Sequence, residues 1–517
     1  MLNIDEKEFV KKNREYWNTH AKCKENKKEN VILVEGQLMG APNYLLRTAV
    51  SAKAVESATG DKIIVILNCS KDAERKARII YGSFGIENFI NIKKFTIPKN
   101  VEIKTVLECI KVFLLHDPKK IFELSYNNIK MGHLIYDDVL HDDIYDNMKH
   151  YTIKRLDLYC LKHIYNFFIK AFIYQKLLSD NTVSAYVSTH TVYCEYGILP
   201  FLSVDKHIPV IYSDDFSHAI IKERGDLYAQ DRIRNKIIHI INTKERDNLI
   251  KAAEESLMQR MEGYGNIDTK LAYSDKKKSY SRKELIEKLG INNGNLIIFI
   301  FAHVFRDSPH ISSKLLYKDY YEWLENTLLY AGQIEKINWI VKEHPSGDSV
   351  YKEKGVIDKM LKKRKASNIY ICPVDFNTNS IEKTADAIVT CQGTIGIECS
   401  CLGIPAVICG KAFYSGFGFT IEPKNKDQYK KKLANLKNVK RLSAGQIEKA
   451  KIVYGAYQMH FGNNTVLLDN EILENIWGYN KEQNIQEAYR LINREFHNIN
   501  FVESSLYKEA YDYFQTY

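Results

Sequence analysis

Asp386–Gly410 reads DAIVTCQGTIGIECSCLGIPAVICG: an apolar run, a Gly-Thr turn, a helical stretch IGIECSCLG, and a second apolar run, PAVIC. Continuous apolar strands alternating with amphipathic helices mark a parallel α/β sheet covered on both faces. The same rhythm extends upstream through NLIIFIFAH (Asn295–His303), WIVKEHP (Trp339–Pro345) and IYICP. Earlier still, VILVEGQ (Val31–Gln37) and KIIVILN (Lys62–Asn68) flank a stretch with helical spacing at Leu45, Leu46, Ala49, Ala52 and Val55, stopped by Gly60. Further short runs recur at Ala185–Ser188 and Pro209–Tyr212, with helical material from Leu156 to Leu178 before them. Between the two series lies GYGNIDTKLAYSDKKKSYSRKELIEKLGINNGN, polar and rich in Lys, Ser, Gly and Asn. The expected organisation is a Rossmann-like lobe over 1–265, a linker over 266–294 and a second Rossmann-like lobe over 295–480. A helical, aromatic segment over 481–517 would pack back on the first lobe.

Composition narrows the function classes. At 517 residues, with 45% hydrophobic and 27% charged side chains, the chain is an ordinary globular protein of two or three domains. Its longest apolar run, within Asn295–Phe305, is too short for the roughly 18–20 residues that span a bilayer. The start, MLNIDEKEF, places acids where a secretion signal carries Lys or Arg, so a cytoplasmic protein is expected. A formal charge of +10 suits an anionic substrate, a phosphate-bearing acceptor or an anionic membrane surface. Lysine runs at 276–278, 362–365 and 430–432 read either as solvated faces or as binding patches. No nucleic-acid module is present, so nucleic acid is not expected as a partner. The ten cysteines form no CxxC pair, which argues for reduced thiols acting as small hydrophobes and against a structural metal.

Three motifs carry chemistry. Gly393-Thr394-Ile395-Gly396-Ile397-Glu398 follows a strand and opens a helix, where free amides and the helix dipole attract phosphate. Gly393 allows close backbone approach, Thr394 adds a hydroxyl, and Glu398 can reach ribose hydroxyls. Thr-x-x-x-Glu is also close to a capping box, the purely structural reading. Lys342-Glu343-His344-Pro345 places a His at the carboxyl end of a strand, where open α/β sheets bind ligands. GKAFYSGFGFT (Gly410–Thr420) either folds over a nucleotide or sugar ring, with Tyr414 as the side chain to watch, or is an aromatic core turn. There is no GxGxxG fingerprint and no P-loop, so NAD(P) and ATP are poorly supported.

In this order, His-Pro, Gly-Thr-Ile-Gly-Ile-Glu with Gly-Ile-Pro-Ala-Val, and Phe-Tyr-x-Gly-x-Gly-x-Thr resemble the capsular polysaccharide synthesis family of bacterial Kdo transferases. GHLIYDDVL (Gly132–Leu140) and STHTVYCEYGILPFLSVDKHIPV (Ser188–Val210) look like its acceptor-side motifs, and the similarity spans most of 120–425. The resemblance implies a GT-B fold, with two Rossmann-like lobes facing across a cleft. It also implies a CMP-activated ulosonic acid as donor (Kdo, or a pseudaminic or legionaminic acid) and metal-independent transfer at the cytoplasmic membrane face. The acceptor would be an oligosaccharide or lipid-linked glycan, with peripheral contact to the inner membrane or to polysaccharide assembly proteins, and no cofactor beyond the CMP-sugar co-substrate. Carried over by motif, His344, Thr394 and Glu398 would hold CMP, with Gly393 and Gly396 shaping the loop. Lys342 or Arg306 would meet the donor carboxylate.

Retaining members of that family imply a carboxylate nucleophile and a separate acid/base. Asp268 in GYGNIDTKLAY is the choice for nucleophile, and Glu195, close to His190 in THTVYCEYG, for acid/base. Asp214 and Asp215 rank behind them. His303, with Arg306, Asp307 and His310 in HVFRDSPH, is expected at the cleft mouth, and His303 joins the catalytic set. Tyr136, Asp137 and Asp138 form an acidic stretch for acceptor hydroxyls, or a solvated loop. Competing readings are a GT-B enzyme with another donor (a UDP-sugar transferase, an epimerase or a polyol-phosphate transferase) and a non-catalytic scaffold of polysaccharide assembly.

Overall fold

The computed structural model describes residues 2–20, 29–37, 40–146, 150–214, 217–265, 267–348, 350–364, 366–462, 467 and 481–516. Its strands are β1 (Val31–Glu35), β2 (Lys62–Leu67), β3 (Asn88–Asn91), β4 (Ser125–Tyr126), β5 (Ile129–Lys130), β6 (Val183–Ser188), β7 (Val210–Ser213) and β8 (His218–Ile221), then β9 (Leu296–Phe301), β10 (Ile337–Lys342), β11 (Ile369–Ile371), β12 (Ala387–Thr390) and β13 (Ala406–Ile408). The apolar runs of the sequence are β1, β2, β6, β7 and β9 to β13, and the α/β class with two parallel-sheet lobes is the one expected. The chain forms two compact units: 1–135, 156–227 and 461–517 make the first, and 136–155 with 228–460 the second.

In the first unit, six strands run in the order β3-β2-β1-β6-β7-β8, parallel except for the antiparallel pair β7–β8. β1 is buried along its whole length, which is why its sequence shows no polar alternation. Helix Pro42–Thr59 is buried on nearly every side, because helix Ser505–Thr516 covers the face the sheet leaves free. The C-terminal aromatics thus pack back as expected: Tyr489, Phe496 and Phe501 meet Phe9 and Trp17 of the first helix, with Trp17 stacked on Phe501 at 5.9 Å. Burial of such rings contributes about 1.5–3 kcal/mol each.

In the second unit, five parallel strands run in the order β11-β10-β9-β12-β13. The division between units falls at 227/228, whereas the sequence suggests 265. Helices Ala229–Thr243 and Arg246–Met261 bury Ile237, Ile240, Leu249 and Leu257 against Ile397, Phe413 and Tyr454 of the second unit. Gly455 is needed for this contact, since a Cβ there would lie 1.8 Å from the Leu249 carbonyl oxygen. Polar residues 266–294, expected as a linker, also belong to this unit and include helix Arg282–Leu289, closed by a Ser281/Glu284 capping box. Residues 136–155 join it through buried bonds: the Tyr136 and Thr152 hydroxyls each donate to Asp319 at 2.5 Å, and Asp319 caps helix Tyr320–Ala331.

Candidate active site

The strand order of the second sheet reverses between β9 and β12, the strands staying parallel. Outside the carboxyl ends of strands at such a switch point, open α/β sheets bind ligands. A pocket of about 740 Å³ opens there. Phe301, Ala302 and His303 reach it from the end of β9, Lys342–Pro345 from the end of β10, and Thr390 with Gly393, Thr394, Ile395 and Glu398 from β12 and the following turn. Asp268, Ala272, Tyr273 and Arg260 close it from the helices preceding the sheet. The structure therefore brings together Asp268, His303, Lys342, His344, Gly393, Thr394 and Glu398, which are scattered over 130 positions in the chain.

Each side chain in the pocket is held differently. His303 is partly buried, stacked on Tyr320 at 4.3 Å, and its Nε2 accepts the amides of Cys391 (3.3 Å) and Gln392 (3.2 Å). Burial, with His344 nearby, pushes its pKa down to about 3, so the ring is neutral and carries its proton on Nδ1. An imidazole whose Nε2 is committed to two backbone amides cannot move protons through that atom. The role His303 shows here is to fix the turn after β12, whereas the sequence suggests a catalytic one. His344 is likewise kept below its ordinary pKa by burial, against the pull of Asp268 and Asp307. The Ser346 amide donates to its Nδ1 at 3.3 Å, which leaves Nε2–H as its donor. Asp268 accepts the Ser346 hydroxyl.

Lys342 is only 8% exposed, and burial lowers its pKa. Among the described residues, no hydrogen-bond or ion-pair partner reaches its ammonium. Glu398, by contrast, is buried and ion-paired: Arg260 Nε lies 2.8 Å from Oε1, and the Tyr273 hydroxyl donates to Oε2 at 3.3 Å. The helix after the turn, Ile395–Cys401, has seven residues, and Thr394 makes no side-chain cap bond. The capping-box alternative is therefore not the arrangement found. Helix dipole strength is small over so short a segment, and the cationic character of the pocket rests on Lys342.

Other residues singled out by sequence lie elsewhere. Tyr414 is fully buried beneath the turn, donating to the Gly393 carbonyl at 2.5 Å, so it supports the loop and does not line the pocket. Gly396 makes room for it, since a Cβ there would meet the Tyr414 hydroxyl at 2.2 Å. Arg306 is buried over the Tyr151 ring at 4.3 Å, away from the pocket. Its amide and that of Phe305 donate to Glu353. His310 is clamped between Asp137 (2.5 Å) and the Lys318 carbonyl (2.9 Å), and Asp138 is buried on helix Gly132–Asp146. The acidic stretch 136–138 is thus neither solvated nor a loop.

In the first unit, the corresponding strand ends carry their own cluster. Glu35, closing β1, is fully buried, with its pKa raised by burial, and accepts the Thr189 amide (3.3 Å) and hydroxyl (2.7 Å). That hydroxyl also contacts His190 Nδ1 at 2.9 Å. Glu195, in the first turn of helix Tyr193–Asp205, is ion-paired with Lys170 and accepts the Asn68 amide at 2.7 Å. Asp214 is a turn residue that accepts the Ser217 amide (2.7 Å) and the Tyr212 hydroxyl (2.6 Å), while Asp215 lies outside the described residues. Sequence reading missed Arg260, Tyr273, Thr390 and Glu35. Thr390 and Glu35, as the last residues of apolar strands, left a local signal; Arg260 and Tyr273 left none.

Residues 317–457 match the family described as Capsule polysaccharide biosynthesis protein. No curated protein sequence matches the chain. Among solved structures, the chain is similar to the Thermosulfurimonas dismutans KpsC beta Kdo 2,4 transferase (13% identity, 55% of this chain and 85% of that one, TM-score 0.33). It is similar as well to the beta Kdo 2,7 transferase of the same protein (15%, 58% and 87%, TM-score 0.31). A third likeness is to the Methanocaldococcus jannaschii UDP-GlcNAc 2-epimerase (12%, 81% and 97%, TM-score 0.26). Residues 317–457, which include β12, β13 and the Thr394–Glu398 edge of the pocket, are thus the part of the chain that is similar to the capsule polysaccharide biosynthesis family.

Proposed function

We propose that the chain is a glycosyltransferase of surface-polysaccharide assembly that moves an ulosonic acid from CMP to a glycan or glycolipid acceptor. The observation that carries this reading is Lys342: a nearly buried, unpartnered ammonium facing a pocket at the sheet's switch point. Leaving a cation desolvated is unfavourable unless an anion completes the site. A CMP-ulosonate offers two anions, its phosphate and its sugar carboxylate. His344 Nε2–H and the uncapped Thr394 hydroxyl are free to donate to phosphate oxygens. Glu398, fixed by Arg260 and Tyr273, presents a carboxylate edge suited to ribose hydroxyls.

In the retaining form of this reaction, the Asp268 carboxylate attacks C2 of the sugar, the C2–O bond to CMP breaks, and its electron pair leaves with the phosphate. An acceptor hydroxyl then displaces Asp268 from C2, giving its proton to a general base. No metal is required, because Lys342 supplies the charge opposite the leaving phosphate.

A thermal-shift panel of CMP, UMP, UDP, GDP and NAD tests the donor class. CMP at about 100 times its dissociation constant should stabilise the protein by roughly 2.7 kcal/mol. Stabilisation by UDP and not by CMP would overturn the donor assignment. Transfer from CMP-Kdo and its nine-carbon relatives tests the chemistry. A wild-type rate in Asp268→Ala would refute the mechanism.

A further inference from the structure

Helix Lys99–Leu114 is built inside out. It packs on the first unit through a narrow face, Thr105, Cys109 and Val112, with the Cys109 thiol directed to the Leu161 carbonyl of helix Leu158–Asp180. Its wide apolar stripe faces solvent instead: Ile103, Val106, Leu107, Ile110 and Leu114 recur at helical spacing, with Ile103 62% and Leu114 66% exposed. A surface helix of a globular unit normally turns such a stripe to the core. Contiguous exposed apolar surface of this kind marks an interaction site.

Charge around the stripe selects the partner. Residues 93–120 carry seven lysines against Glu102, Glu108 and Asp117; along one border of the stripe Lys104 stands exposed, as does Lys111, which is ion-paired with Glu108 at 2.7 Å. A second copy of the same helix would bring like charges together, while anionic headgroups complement them. No helix among the described residues is long and apolar enough to cross a membrane, so the helix would lie in the interfacial plane. We infer that helix Lys99–Leu114 is a docking face for an anionic phospholipid surface, its apolar stripe entering the acyl boundary and its lysines contacting headgroups.

Co-sedimentation of the full chain with phosphatidylcholine vesicles, with and without phosphatidylglycerol, tests this. Binding is expected to the anionic vesicles and to weaken with added salt. Lys104→Gln with Lys111→Gln should reduce it about 25-fold, about fivefold for each charge. Leu107→Glu with Leu114→Glu should abolish it, while the melting temperature stays within error of wild type because both positions are exposed. Absence of wild-type binding, or equal binding by both double variants, overturns the inference. A wild-type dimer in solution, converted to monomer by Leu107→Glu with Leu114→Glu in the absence of vesicles, would overturn it in favour of self-association.

Discussion

The Arg260–Glu398 pair is the point at which the pocket's architecture can be tested by free energy. Arg260 comes from helix Arg246–Met261 and Glu398 from the helix after β12, so the pair ties the wall of the pocket to its floor. Removing one partner of a buried ion pair typically costs about 3–5 kcal/mol, because the other charge stays desolvated. Here the Arg260 side chain is 26% exposed and the Tyr273 hydroxyl still donates to Glu398, so both effects reduce the loss. Arg260→Gln should therefore cost about 2 kcal/mol, and Glu398→Gln between about 1 and 2 kcal/mol, since Arg260 can recover some water. The double variant, with neither charge left, should cost about 2 kcal/mol, leaving a coupling of roughly 1.5 kcal/mol. For a cooperative unit of about 150–250 residues, Arg260→Gln lowers the melting temperature by about 4–8 °C. The cycle is read by thermal unfolding of the four proteins in parallel. Additivity of the single losses to within about 0.5 kcal/mol would refute a functional ion pair at this place.

Further outcomes follow from the same geometry. Because the folded pKa of His303 lies near 3 and its unfolded value near 6.5, the folded state binds fewer protons between them, and stability is lost as pH falls below about 6.5. That loss is about 2 kcal/mol at pH 5, so the drop in stability between pH 7 and pH 5 should shrink by that amount in His303→Gln. Gly396→Ala should destabilise by about 2 kcal/mol or more through its collision with the Tyr414 hydroxyl, and Tyr414→Phe in the same chain should recover part of the loss. Lys342→Met should raise the melting temperature in the absence of ligand while weakening CMP-sugar binding at least about tenfold, as removal of a charge-assisted contact implies. Transfer should survive EDTA unchanged; loss of rate reversed by a divalent cation would contradict a site that relies on Lys342.

The strands were legible because burial on both faces leaves an uninterrupted apolar run, and DAIVT, PAVIC, VILVE and KIIVIL need no long-range information to be read. Pocket residues at the ends of those runs were legible for the same reason: Lys342, His344 and Thr394 are placed by the strand before them. What local reading cannot reach is the pairing of segments. Leu249 and Leu257 look like one face of any amphipathic helix, and only their contact with Phe413 and Tyr454 assigns them to the second unit. Arg260 in LMQRME has no local mark at all, because its significance is the carboxylate 138 positions later. Polar 266–294 reads as a linker by composition, yet contributes Asp268 and Tyr273 to the pocket wall.

Partner satisfaction then separates the two basic side chains that sequence could not rank. Lys342 closes a strand of the second sheet and Arg306 follows one, and both are buried. Arg306 lies over the Tyr151 ring, a cation–π contact that offsets part of its desolvation, and the loop that carries it is pinned by Glu353. Among the described residues nothing compensates Lys342 in this way, and burial destabilises it as a cation. Substituting Arg306 should therefore damage the fold before it affects the ligand, whereas substituting Lys342 should affect the ligand and relieve the fold. A side chain whose burial is uncompensated in the free protein is where the binding energy of an anionic substrate is expected to be realised, since the incoming charge completes an interaction that folding leaves open.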